Sequence, residues 1–531
     1  MKKTIFIIVT SLLFISRFFI FISTQDVGIE HDSGWYLGVA RNVAERGMYA
    51  SYTNTISNTE KTGVSPSIHY RLSVQDKKGF IYFPAGVTVG PGYILPEAFF
   101  LKVFGYGWVQ FRIWPFLAFC LVIPILFLFI LQIGSFASLL FFQLWLWCYP
   151  QIFLTLSFES FSEHIALLFL LLGFLLVQRG ITYPKKYLFI ILSGLSFGLS
   201  LQTKNLYALG AIFPTILIVF NAWKTKSMRS LLLFLFFLLL PTILFESYRF
   251  LILFSQFGLE GYKANLIDIK RTWENGGSGI KTLFNKPDLR FIGRKLSVWN
   301  YVGANASFFA WPFILVSPLI QKKKPLLYWM IYGTCLIFFV WFGMFSMMGW
   351  FRHIIPGIIA GMIIISFTIE EVVTRLIKTR KAFSFGLLLV FLTSIYFPLV
   401  SSPFSFPQFV LEKKLFNSLY KLPAPDRMQN PQFAPIFSKN DQTRMASFIT
   451  ASAHTNARVC FYEWALVAEL PPLVDRVFYP YPRCKENDIL IVGPYQKGDY
   501  AINNVDYPKL IEKLCKKVVF TNTMYTACLI K

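Results

Sequence analysis

The chain has 531 residues, 55% of them hydrophobic, 18% aromatic and only 15% charged, with a mean hydropathy of +0.54. This excludes a soluble globular protein, and the repeated long uncharged runs mark a polytopic α-helical membrane protein. The net charge of +24 would suit a nucleic-acid binder, but Lys and Arg gather in short patches between apolar runs, where they orient membrane spans, so nucleic acid is not an expected partner.

The N-terminal MKKTIFIIVTSLLFISRFFIFIST begins as a signal peptide does, with Lys2 and Lys3 ahead of an apolar stretch. It has no small-x-small cleavage site and stays apolar to about residue 23, so it reads as a retained signal anchor. Transmembrane helices, about eleven in all, are expected near 4–23, 113–133, 135–152, 164–178, 187–202, 206–222, 231–249, 307–320, 326–345, 354–369 and 385–400. With a cytoplasmic N-terminus, the basic connections at 179–186, 224–229, 321–325 and 374–381 all fall on the cytoplasmic side.

Segment 83–105, FPAGVTVGPGYILPEAFFLKVFG, is apolar enough to suggest a further span, yet one more crossing would place every later basic patch outside. It therefore reads as a membrane-skimming or re-entrant element on the outer face, which suits its Pro84, Gly86, Gly90, Pro91, Gly92 and Pro96. The first external loop then runs over 24–112. Short external connections follow at 155–164, 202–206 and 346–353, and a long, basic one at 250–306.

Two regions result: a transmembrane part, 1–405, and a small extracytoplasmic α/β domain, 410–531. In the second, ARVCFYEWALVAEL, NDILIVGPY and KKVVFTNTMYTACLIK read as short strands, and YPKLIEKLCKK as a helix. None of the seven cysteines forms a C-x-x-C pair. Cys460, Cys484, Cys515 and Cys528 fall in this domain, where one or two disulfides and free thiols are both open readings. A Cys515–Cys528 link would contribute about 3 kcal/mol by loop closure.

Charge beside a bilayer is costly and tends to mark a site. The predicted outer helix ends carry Glu30, Asp32, Arg41, Arg46, Arg71, Glu97, Arg112, Glu159, Glu163, Lys204, Arg249 and Arg352. Any one of them also reads as a solvated or snorkelling end residue, but Lys204 and Arg352 sit on short outer connections, where positive charge opposes insertion. Carboxylates and cations beside an apolar, aromatic groove suit a substrate with a lipid tail, a phosphate at the interface and a polar group above it. Arg binds phosphate through paired donors and Lys as a point charge. A carboxylate can take the proton of an incoming hydroxyl. The departing phosphate is a stable anion, so the chemistry needs a base and anion stabilisation rather than a strong acid.

Several stretches, taken in order, resemble the GT-C glycosyltransferases that use polyprenyl-phosphate sugars, a group including the dolichyl- or undecaprenyl-phosphate-mannose and aminoarabinose transferases. HDSGWYLGVARNVAERGMY resembles the first-loop signature, an acidic residue followed by Tyr and an A-x-x-(I/V)-x-x-x-G helix, here Asp32, Tyr36, Ala40, Val43 and Gly47. FPAGVTVGPGYILPEAFFLKVFG is similar to the family's P-x-x-P-x-Y stretch ending K-x-F-G, with Arg112 opening the next span. SEHIALLFLLLGFLL resembles its helix-opening acidic residue, here Glu163, with Glu159 a competitor. GLSFGLSLQTKNLYAL points to Lys204, and GWFRHIIPGI to Arg352, with His353 in place of an aromatic residue. The acidic pair of the first motif is spaced here, Glu30-x-Asp32, and 410–531 matches no motif.

The resemblance implies a GT-C fold, a membrane-embedded lipid-donor pocket and an external catalytic aspartate. Asp32 would be the general base, with Glu30 and His31 tuning it and Glu163 as a second catalytic carboxylate. Lys204, Arg352, Arg112 and Arg71 would bind the donor phosphate; Tyr36, Glu159 and His353 would contact acceptor or sugar. Blander roles stand beside these: Asp32 as N-cap of a helix beginning near Gly34, Tyr36 and Trp35 as interface anchors. No cofactor is certain and a divalent cation stays open. The expected partners are a polyprenyl-phosphate-linked sugar, a glycan, lipid or protein acceptor, and the bilayer. The expected location is a bacterial inner membrane with the C-terminal domain periplasmic. A transporter or flippase of lipid-linked sugar and an envelope-assembly scaffold are the competing readings.

Overall fold

A computed structural model describes residues 2–24, 28–29, 31–51, 74–75, 77, 81–82, 84, 87, 89–148, 162–182, 186–224, 228–277, 313–321, 324–342, 353–379, 438–452, 457–461, 469–481, 484–493 and 507–531. The chain opens with α1 (Lys2–Thr24) and α2 (His31–Arg46), then a two-strand ladder of β1 (Val74–Gln75) and β2 (Ile81–Tyr82). There follow α3 (Pro91–Phe104), α4 (Ile113–Ile133), α5 (Phe136–Cys148), α6 (Glu163–Thr182), α7 (Lys186–Thr203), α8 (Ala208–Lys224) and α9 (Met228–Gly277). A short helix at 313–320 precedes α10 (Leu326–Val340) and α11 (Ile355–Thr379). Helices thus fall on every predicted span except 385–400, which lies outside the described residues. By length and composition, 5 described helices can cross a membrane, Gln110–Ile133, Glu163–Ile181, Asn205–Lys224, Met228–Lys263 and Ile355–Arg375.

These helices pack one apolar face on another and leave a second apolar face outward. On α4, Phe119, Val122, Ile123, Leu126 and Ile130 are buried, whereas Leu117, Leu121 and Leu128 are exposed. On α9, Leu232, Phe236, Leu239 and Ile243 are exposed. Water would penalise such surfaces; lipid accommodates them. Where helix meets helix, small residues allow close approach. A Cβ on Gly194 would lie 2.6 Å from the Phe234 carbonyl oxygen, and one on Gly198 2.5 Å from that of Leu238, so this GxxxG pair seats α7 on α9.

Polar contacts sort the connections to two ends. At one, the Arg229 guanidinium lies over the Tyr187 ring at 4.9 Å, the Ser135 amide and Ser138 hydroxyl donate to Glu370, and Arg375 donates to the Ile320 carbonyl. Tyr187, Arg229, Ile320 and Arg375 border or belong to the predicted basic connections. At the other end, the N-terminus of α3 meets the C-terminus of α7, and Arg112 reaches Gly28.

Two segments differ from expectation. Residues 91–104 form a regular helix, with Pro91 in its first turn, where the missing N–H costs nothing. At about 21 Å it is too short for a hydrocarbon core of about 30 Å, so it is no additional crossing. Leu95, Phe99 and Val103 form an exposed apolar stripe, and Tyr93, Ile94, Glu97 and Leu101 face inward. The region read as the start of an external loop, 250–277, is helical and broken at Gly258, whose φ is 67°. Arg249 donates to Asn265 at 3.3 Å. Sixteen helical residues would separate them by about 24 Å, so the chain folds back at this glycine. The mixed polarity of QFGLEGYKANLIDIK concealed the helix.

The C-terminal unit contains α12 (Lys439–Ala451), β3 (Val459–Phe461), β4 (Phe478–Pro480), β5 (Ile489–Val492), α13 (Tyr507–Leu514), β6 (Cys515–Thr521) and β7 (Thr526–Ile530). Its sheet has the order β4-β3-β5-β7-β6. β3 pairs parallel with β4 and β5, and β7 antiparallel with β5 and β6. Ser438 caps α12, its hydroxyl accepting from the Asp441 amide at 3.1 Å. Met445, Ile449, Val459, Ile489, Ile491 and Tyr525 form the core. Of the two open cysteine readings, the structure holds the disulfides, Cys460–Cys484 and Cys515–Cys528.

Candidate functional site

The motif around Asp32 builds one end of α2. The helix begins at His31 rather than near Gly34, so Asp32 lies inside the first turn and is not the cap. A carboxylate is favoured there by the helix dipole, and Asp32 is half-buried. Trp35 and Tyr36 are buried, correcting their reading as interface anchors. Tyr36 meets Tyr93 edge to face at 5.7 Å and so fastens α2 to α3.

Arg112 is also buried. It donates to the Gly28 carbonyl at 3.4 Å, and its guanidinium lies 5.9 Å from the Trp108 ring. The start of α4 therefore holds the backbone four residues ahead of Asp32. The neighbouring peptide is held from elsewhere. Ile29 donates its amide to Gln442 Oε1 at 2.8 Å and accepts from Gln442 Nε2 at 2.7 Å.

Glu163 and Lys204, singled out separately in the sequence, come together with Nζ–Oε1 at 2.8 Å. Glu163 opens α6 and its side chain is 1% exposed; that of Lys204 is 18% exposed. Lys204 is extended between α7 and a short helical turn, Asn205–Tyr207. Its position depends on α3. A Cβ on Gly90 would fall 1.4 Å from the Gln202 carbonyl oxygen, and one on Gly92 2.1 Å from Thr203 Oγ1. Only glycine lets α3 begin against the residues just before Lys204, and Trp114 Nε1 donates to the Gly92 carbonyl at 3.2 Å. A buried ion pair is weak evidence for stability because desolvation offsets its attraction, which directs attention to function.

On the inner face of α3, burial pushes the Glu97 carboxyl up to about 8, with the Trp114 backbone opposing. His353 is half-buried before α11, 6.2 Å from the Trp341 ring. Glu30, Arg71, Glu159 and Arg352 lie outside the described residues. The sequence reading overlooked Gln442, which lies 413 residues from Ile29 and belongs to no motif.

No protein-family model matches the sequence, and no curated protein matches it by sequence. Solved structures do match in shape. ArnT from Cupriavidus metallidurans bound to undecaprenyl phosphate is similar with a TM-score of 0.59 at 11% identity, covering 99% of this chain and 97% of that one. The same protein in the apo state gives 0.58 at 12% identity with the same coverage. An oligosaccharyltransferase from Archaeoglobus fulgidus gives 0.46 at 12% identity, covering 90% of this chain and 63% of that one. At such identities the likeness is one of fold, and with the helical bundle and C-terminal sheet described above it means that this chain has the GT-C fold.

Proposed function

We propose that the protein is an integral-membrane glycosyltransferase that moves a sugar from a polyprenyl-phosphate donor to an acceptor hydroxyl. The observation that carries this reading is the buried Glu163–Lys204 pair at a helix-end junction, in a chain whose fold is that of ArnT bound to undecaprenyl phosphate.

In the proposed reaction, Asp32 takes the acceptor's proton, the acceptor oxygen bonds to the anomeric carbon, and the bond from that carbon to the phosphate oxygen breaks. The lipid phosphate leaves as an anion. Lys204 has three N–H donors, so it can keep Glu163 and still donate to a phosphate oxygen. Arg352 and Arg71 are further proposed phosphate ligands, and Arg112 helps through its hold on Gly28. Glu30 and Glu163 are proposed to support Asp32 as catalytic carboxylates, and Glu159, Tyr36 and His353 to shape the acceptor and sugar end. The basic connections support a cytoplasmic placement for their end of the bundle, which puts chemistry and the C-terminal unit on the outer, periplasmic side of an inner membrane.

The test is mass spectrometry of envelope glycolipids and glycoproteins from cells lacking the protein, restored with wild type, and restored with Asp32→Asn at equal expression. We expect a defined sugar increment to vanish in the null and the variant and to return with wild type. Full restoration by Asp32→Asn would remove Asp32 as the base and favour transport or scaffolding.

A further inference from the structure

The sequence assigns the C-terminal unit no role, yet it reaches the backbone beside the proposed base. Ile29 and Gln442 are both buried, and Gln442 bonds both backbone polar groups of Ile29, as a neighbouring strand would. Those groups precede the first turn of α2. The preceding carbonyl, Gly28, accepts from Arg112. Two consecutive residues, four and three positions ahead of Asp32, are thus held by two different elements, Gly28 by Arg112 at the start of α4 and Ile29 by Gln442 of α12.

Beside this point Lys439 of α12 lies over the Trp108 ring at 5.8 Å, and other polar docking contacts fall farther along α2. Arg41 donates to the Pro472 carbonyl at 2.8 Å, and Arg46 pairs with Asp475 at 2.6 Å, both toward the far end of α2. Asp475 is more than half exposed, so solvent screens that pair and it holds little.

We infer that Gln442 is a positioning residue: its side-chain amide, carried by the C-terminal unit, holds the Ile29 backbone and so sets where the first turn of α2 presents Asp32. This rests on the glycosyltransferase reading above. The amide also lies beside Tyr525, whose hydroxyl donates to Glu469 Oε1 at 2.6 Å. Burial pushes the Glu469 carboxyl up to about 8, so this group behind the amide is neutral at neutral pH. Asp441 beside it bonds Thr523, and Arg112 stands across Gly28. A side chain that both donates and accepts fits this setting; a purely apolar or purely accepting one does not.

The test compares Gln442→Leu, Gln442→Glu and, as a rim control, Asp475→Ala in full-length protein, with two readouts. Hydrogen exchange follows peptides covering 28–36 and, separately, the strands at 489–492 and 526–530. Product formation is followed by mass spectrometry after mixing each purified protein with membranes from null cells, which supply donor and acceptor. With Leu we expect exchange over 28–36 to rise about tenfold or more, since two buried hydrogen bonds are lost, while the strands keep their protection. Product formation should fall about 100-fold, as for a misplaced catalytic group, with unchanged affinity for undecaprenyl phosphate used as the probe. Asp475→Ala should match wild type.

Gln442→Glu separates positioning from general damage. Protonated, the new carboxyl accepts from the Ile29 amide and donates to its carbonyl; ionised, it repels that carbonyl. Its activity relative to wild type should be near normal below about pH 5 and lost above about pH 8. If Leu unfolds the unit, this pH comparison within one folded molecule decides the matter. Wild-type exchange over 28–36 in Gln442→Leu, or a Gln442→Glu profile parallel to wild type, overturns the inference. If Asp32→Asn still makes product, the glycosyltransferase reading fails instead, whatever the exchange shows.

Discussion

Lys204 and Glu163 illustrate how much one residue can disclose and where that stops. The lysine was legible because a cation on a short outer connection opposes the orientation rule, and the glutamate because it opens an apolar helix. Their contact was not legible. Forty residues and a helical turn-around separate them, and the packing of α3 on Gln202 and Thr203, far off in sequence, helps fix where the lysine sits. The pair yields a prediction with two separable parts. Lys204→Met leaves Glu163 charged and buried, which we expect to destabilise the protein by about 3–5 kcal/mol, read as a lower melting temperature in detergent. Adding Glu163→Gln should restore much of that stability because no lone charge remains. Affinity for undecaprenyl phosphate should stay low in both variants. If the double variant recovers affinity as well, Lys204 serves the fold and is no phosphate ligand.

At the scale of elements, period and length sufficed for most helices, since an apolar run of about twenty residues admits few alternatives. They failed where an element is neither a full span nor a solvated loop. α3 is apolar on both faces, with Leu95, Phe99 and Val103 outward and Glu97 inward among Tyr93, Ile94 and Leu101, and α9 continues past its apolar part because tertiary contacts such as Arg249 with Asn265 support it. The glycines at the start of α3 are decided here as well. They were read as signs of irregularity, yet they allow a regular helix to begin in contact with α7. Gly90→Ala would drive a methyl group into the Gln202 backbone, which no side-chain rotation relieves. We expect α3 to move, exchange to rise in peptides 89–101 and 200–207, and product to fall while the C-terminal strands remain protected. Gly105→Ala is the comparison. Its Cβ meets nothing within 4 Å, but φ is 85°, so it carries backbone strain without the clash. Equal effects from both substitutions would show that strain, not the approach of α3 to Lys204, controls the site.

For the whole molecule, charge divides the connections between two ends, and the sidedness proposed from it is consistent with chemistry elsewhere in the chain. Disulfides persist in oxidising compartments, and the two that the structure holds are both in the C-terminal unit, opposite in sequence logic to the basic connections. Cys120 and Cys335, in the apolar helices α4 and α10, are free. What the sequence could not convey is that this unit sits on α2, because docking through Gln442, Arg41 and Arg46 joins residues more than 400 positions apart. A unit docked there must share the side of the membrane on which α2 begins. This makes orientation testable with the native cysteines. Intact spheroplasts treated with a membrane-impermeant reductant and then an impermeant maleimide of high mass should gain label at Cys460, Cys484, Cys515 and Cys528. Unreduced spheroplasts should gain none at these positions. Labelling of the four only after permeabilisation would place the C-terminal unit in the cytoplasm, and with it α2 and Asp32. The proposed acceptor would then have to be a cytoplasmic one, and the basic connections would stand as an exception to the charge rule.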